Sequence, residues 1–187
     1  MWLFLITEIM FFGGLFLTYA VYRKLFTDAF IEASHRLNAT IGAINTAVLL
    51  TSSLTMALAV RAAQLGKRKS LMVFLVLTMI LGSAFLGIKG YEYHEKFVRH
   101  EVPGTSFEWE GPHARAAQIF FAMYFAMTGL HALHMIIGMG IMTYLLIRSY
   151  KGVYSENYPW PVEIGGLYWH FVDIIWIFLF PFLYLVT

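Results

Sequence analysis

The chain has 187 residues, of which 59% are hydrophobic and only 13% charged, with a net charge of +2; soluble domains carry about 25% charged residues. That balance excludes an ordinary water-soluble fold, and 13 Lys+Arg against 11 Asp+Glu are too evenly matched for a nucleic-acid binder. The chain has no cysteine, which excludes disulfides, thiolate metal sites and a cysteine nucleophile.

A helix crossing a bilayer core of roughly 30 Å needs about 20 apolar residues, and five stretches qualify. The first, 2–22, follows no basic n-region and precedes no small-residue cleavage site, so it reads as a retained anchor. Glu8 is its one interruption. The second, 37–60, is uncharged. Its Gly42 and Thr46 form a small-xxx-small step, and Asn45 and Ser52 share a face, a pattern suited to close helix approach. The third, 70–92, carries Lys89 near its end, where the stem can snorkel or pair with Glu92 one turn on. The fourth, 116–147, is long enough to tilt and contains His131 and His134. The fifth, 162–186, contains His170 and Asp173.

Backbone groups find no water in hydrocarbon, so such runs are helices; barrel strands are short and alternating. The predicted fold is all-α: a polytopic membrane protein, five transmembrane helices in a single domain over 1–187. Lys and Arg tie at six on each side, but Arg61, Lys67, Arg68, Lys69, Arg148 and Lys151 are concentrated in the shorter connections. That density predicts a cytoplasmic N-terminus and an outer C-terminus. The stretch 93–115, broken by Pro103 and Pro112, reads as a polar outer loop.

Ionisable groups in a membrane interior cost about 2.5–3.5 kcal/mol each on insertion scales and need partners. His131 and His134 are three apart and share a helix face, as are His170 and Asp173. Glu8 has only Thr7 as a polar neighbour within 3–12. The expectation is a carboxylate–imidazole network of Glu8, His131, His134, His170 and Asp173 joining the first, fourth and fifth spans, structural or proton-linked. A bis-imidazole haem from His131 or His134 with His170 is the metal alternative. Within the five apolar stretches neither the di-iron pattern, Glu-x-x-His on each of two helices with two further Glu, nor His-Glu-x-x-His occurs, so the residues favour a site without metal. A small proton-coupled transporter using Glu8 and Asp173 is a further reading of the same residues.

Four stretches together carry a resemblance: "TEIMFFGGLF" around Glu8, "NTAVLLTSS" at Asn45–Ser53, "TGLHALH" at Thr128–His134 and "YWHFVDIIWIFLF" at Tyr168–Phe180. "GYEYHEKF" at Gly90–Phe97 is a weaker fifth. In this order they resemble subunit III of haem-copper oxidases, the cytochrome c oxidase subunit 3 family. Ala132 departs from the family's usual Gly between the two histidines. Many members have seven spans and some five; this chain reads as the five-span form, without the first two. The resemblance implies a non-catalytic subunit packed beside subunit I, whose haems and copper reduce oxygen to water while the complex pumps protons. It implies no redox cofactor in this chain, a role in stability and proton uptake, and a lipid-filled cleft for oxygen access. It further implies that Glu8 is the family's buried carboxylate and that Arg148 contacts a phospholipid headgroup. A quinol oxidase or nitric oxide reductase would use an equivalent subunit.

Overall fold

The computed structural model describes residues 2–104, 107, 109, 113–154 and 158–186, with Trp2 as backbone alone. Among these residues all regular structure is helical: α1 (Trp2–Leu25), α2 (Thr27–His35), α3 (Ala39–Gln64), α4 (Arg68–Val98), α5 (Ala114–Tyr150) and α6 (Trp160–Tyr184). All but α2 are long and apolar enough to cross a membrane. Even α1, with 24 residues, reaches about 36 Å at about 1.5 Å per residue.

Two features differ from the sequence expectation. The first connection contains α2, whose Ala29, Phe30 and Ala33 are buried. Phe30 packs against Tyr19 and Phe120, with ring centroids 5.4 and 5.3 Å away. Nine residues give too few turns for a helical period to stand out from a loop. The other difference is in length, most clearly in α4, which continues to Val98 through the polar Glu92–Lys96 stretch. Apolar runs end where charge begins, whereas helical hydrogen bonding continues into the interface.

The helix ends have local causes. Asn38 caps α3, its side-chain oxygen accepting from the amides of Thr40 (3.1 Å) and Ile41 (3.2 Å). After α3, Gly66 adopts φ 64°; its amide donates to Ala63 and that of Lys67 to Ala62, which closes a Schellman turn. Gly152, at φ 73°, ends α5 in the same way, with Val153 N–H donating to the Arg148 carbonyl.

The short α3–α4 turn makes these helices antiparallel neighbours. α6 packs on α3 and α5, and α1 lies to the side against α5 and α2. Trp169 of α6 is the wedge at the centre. Its indole N–H donates to Ser52 Oγ at 3.1 Å. A Cβ placed on Gly82 or on Gly138 would lie 2.9 Å from its ring, so α4 and α5 approach only because both positions are glycine. Trp176 repeats the motif one level away, donating to Thr46 Oγ1 at 3.1 Å. Gly42 lies under Phe180 and Tyr184, and Asn45 is buried without a hydrogen-bond partner among the described residues.

Candidate functional site

The structure divides the five expected network residues among three places. Glu8 and His134 meet, Oε2 to Nε2, at 3.2 Å. His134 Nδ1 lies 2.9 Å from the Leu130 carbonyl oxygen. A carbonyl only accepts, so Nδ1 carries the hydrogen, and Nε2 is left to face the carboxyl. A favourable contact there requires one proton between the two groups, on Glu8 or on Nε2. Phe12 stands edge-on to the imidazole with centroids 5.7 Å apart, while Tyr168 donates to the His134 carbonyl at 3.0 Å.

His170 and Asp173 gather instead at Ser53 of α3. The Ser53 hydroxyl lies 2.7 Å from His170 Nδ1. It also neighbours the Asp173 carboxyl without meeting hydrogen-bond geometry, and that buried carboxyl has no hydrogen-bond partner among the described residues. His131 stands apart from both groups. Its ring is buried between Phe85 (5.5 Å) and Trp176 (5.2 Å), and neither nitrogen has a hydrogen-bond partner among the described residues. Positions three apart differ by about 60° around a helix. One face can therefore be shared while its two residues meet different neighbours, α1 for His134 and α4 with α6 for His131.

The most extensive buried polar cluster joins α4, α5 and α6. Lys89 Nζ lies 2.9 Å from Glu92 Oε2, and both side chains are buried; the lysine pairs inward and does not snorkel. Glu92 Oε1 accepts from the hydroxyls of Tyr124 (3.0 Å) and Tyr184 (2.5 Å). Lys89 also donates to Tyr184 at 2.5 Å and lies 4.7 Å from the Trp176 ring centroid. Every carboxylate oxygen is thus answered, as a buried charge requires. Sequence reasoning names the Lys89–Glu92 pair from its spacing but misses Tyr124 and Tyr184. Their hydroxyls are the available signal, since a buried tyrosine hydroxyl usually finds a partner.

At the end of α5, the Arg148 guanidinium carbon lies 5.7 Å from the Tyr144 ring centroid, and Nε is buried without a hydrogen-bond partner among the described residues. The Tyr154 hydroxyl, brought back towards it by the Gly152 turn, is in the same condition. Two apolar grooves run along the bundle. One of about 500 Å³ is lined by Phe4, Tyr144, Leu145, Trp160 and Tyr168. The other, of about 410 Å³, is lined by Phe12, Phe16, Phe171, Phe178 and Phe182. Among the described residues no group of three or more His, Cys, Asp or Glu is placed to hold a metal ion.

Comparison with known proteins adds the family. The family model described as cytochrome c oxidase subunit III matches residues 1–187. The chain is 35% identical over 144 residues to cytochrome c oxidase subunit 3 of Alkalihalophilus pseudofirmus, covering 76% of this chain and 64% of that protein. It is 36% identical over 141 residues to the Coturnix japonica subunit 3, covering 75% and 48%. It is 33% identical over 180 residues to a probable subunit 3 of Nocardia farcinica, covering 96% and 83%. The chain spans between about half and two thirds of the first two of these relatives. With five apolar helices of spanning length and these relatives, it is an integral membrane protein. The chain belongs to the cytochrome c oxidase subunit III family.

Proposed function

We propose that this chain, as one helical domain, is the non-catalytic subunit III of a proton-pumping haem-copper oxidase that reduces oxygen to water. It packs beside the catalytic subunit I, which holds the haems and copper, and itself carries no redox centre. The observation that carries this reading is the family match across residues 1–187. The outer face of α1 favours it: Leu3, Met10 and Leu17 are 77%, 73% and 67% exposed, an apolar surface suited to lipid or to a membrane partner. The orientation that fits the loop charges has the N-terminus on the cytoplasmic side of an energy-transducing membrane, the bacterial inner membrane or its equivalent.

Within that role each polar site has work suited to its geometry. Glu8 and His134 hold one proton between them at 3.2 Å, a proton-linked pair that supports proton uptake. His131, His170 and Asp173 join helices. Arg148, with an unanswered buried Nε and the Tyr154 hydroxyl near it, suits a phospholipid phosphate, since guanidinium forks match phosphate oxygens. The two apolar grooves suit acyl chains and form the lipid-lined approach for oxygen.

Affinity purification of the tagged chain from its native membrane tests the assignment. A large membrane subunit with haem and copper should co-purify, and Glu8→Ala should leave assembly intact while changing proton uptake or shortening the turnover lifetime. A chain that purifies without such a subunit and drives proton flux alone in proteoliposomes would replace this reading with that of a transporter.

A further inference from the structure

We propose that a polar cavity at the α2–α3 turn is an aqueous inlet ending on Glu92, so that the buried Lys89–Glu92 pair exchanges protons with bulk water. The cavity measures about 350 Å³ and is lined by His35, Arg36, Asn38, Glu92, Glu95 and Lys96, among others. One water needs roughly 10–15 Å³ of such space and two to four polar partners. This cavity supplies both, unlike the groove walled by Phe12, Phe16, Phe171, Phe178 and Phe182. Glu92 is only 2% exposed. Its two carboxylate oxygens accept from Lys89, Tyr124 and Tyr184, and the residue forms part of the cavity wall.

The neighbouring charges point to Glu92 as the acceptor at the floor. From α4, Glu95 is paired with Arg99 at 2.5 Å and Lys96 with Glu101 at 2.7 Å. From the α2–α3 turn, Arg36 lies 3.5 Å from Glu101, and His35 lines the mouth. From α5 and α6 come the Tyr124 and Tyr184 hydroxyls, with His131 beyond Trp176's edge of the cluster. The rim charges therefore answer one another, while the cation opposite Glu92 lies on its inner side. Trp176, 4.7 Å from Lys89 Nζ, closes that inner side. A proton entering from hydronium passes through cavity water to the Glu92 carboxylate, and its release returns by the same water. The Tyr184 hydroxyl, bonded to both charges, links Glu92 with Lys89. Water on one side also lowers the cost of keeping two charges this deep, which is several kcal/mol per ion in a dry interior. The inference concerns this chain's own geometry and stands independently of its place in an oxidase.

X-ray radiolytic footprinting of the intact protein in its complex tests it, because hydroxyl radicals formed from water oxidise buried rings only where water sits. Tyr19 is the matched control: it is fully buried like Tyr124 but walled by Phe30, Phe120 and Phe182. Tyr124 and Tyr184 should oxidise at least about fivefold faster than Tyr19. Ala39→Trp, which fills the cavity from a lining position outside the cluster, should bring both rates down to that of Tyr19. Rates equal to Tyr19 in the unmodified protein would overturn the proposal. Fast oxidation that persists in the folded Ala39→Trp protein would overturn the assignment of this cavity as the inlet.

Discussion

Replacing Lys89 by Met isolates what the buried ion pair contributes. At 2.9 Å and an effective dielectric of about 20, the Coulomb attraction is about 6 kcal/mol. Burying the two ions costs several kcal/mol each, so the intact pair contributes little net. Removing one partner is different. Lys89→Met leaves the Glu92 carboxylate buried with two tyrosine hydroxyls and no cation, a loss of about 3–5 kcal/mol. The hydroxyls at 2.5 and 3.0 Å and the water approach argue for the lower end. At roughly 2–4 °C per kcal/mol for a chain of this size, the melting midpoint should fall by about 6 °C or more. The assay is thermal loss of the monodisperse peak on size-exclusion chromatography in mild detergent, with a fluorescent tag on the chain. The double variant Lys89→Met with Glu92→Gln removes both charges while keeping an acceptor for the tyrosines, and should recover at least half of the loss. A single variant melting within about 2 °C of the unmodified protein, or a double variant worse than the single, would refute this account of the cluster.

Gly138→Ala should destabilise by about 1–3 kcal/mol through overpacking, because its Cβ would meet the Trp169 ring at 2.9 Å. Gly14→Ala, with nothing within 4 Å of the added carbon, should be neutral or stabilising by up to about 1 kcal/mol; the same thermal assay separates the two. Asn38→Ala removes the side-chain acceptor for the Thr40 and Ile41 amides and should cost about 0.5–2 kcal/mol, read as the same midpoint shift. Arg148→Ala should lower the phospholipid retained per chain by about one molecule of those held through the phosphate, measured by quantitative lipid mass spectrometry after detergent washing; unchanged lipid content would remove Arg148 from that role.

The five spans were legible because the hydrocarbon core imposes its own length on the chain. Their ends were less so, since a helix such as α4 continues to Val98 through charges that lower hydropathy without breaking hydrogen bonds. α2 went unread because its nine residues hold barely two turns and its apolar face matters only once Tyr19 and Phe120 are beside it. The glycine and hydroxyl pattern of 42–52 marked α3 as a packing helix. It did not name Trp169 and Trp176 as the side chains that Ser52 and Thr46 receive.

The amino-acid sequence alone determined that the chain must cross a membrane as helices, that thiolate chemistry is absent, and that Glu8, Lys89, His131, His134, His170 and Asp173 need partners. Each of these follows from transfer energies and spacing, which belong to single segments. Only the tertiary structure decided the pairings: Glu8 with His134, His170 with Ser53, and Lys89 and Glu92 with tyrosines 35 and 95 residues from the lysine. Burial favours a partner without guaranteeing one, as His131 and Asp173 show among the described residues; rotation of each helix about its axis selects which groups meet, and that rotation is fixed by packing such as Trp169 seated between Gly82 and Gly138.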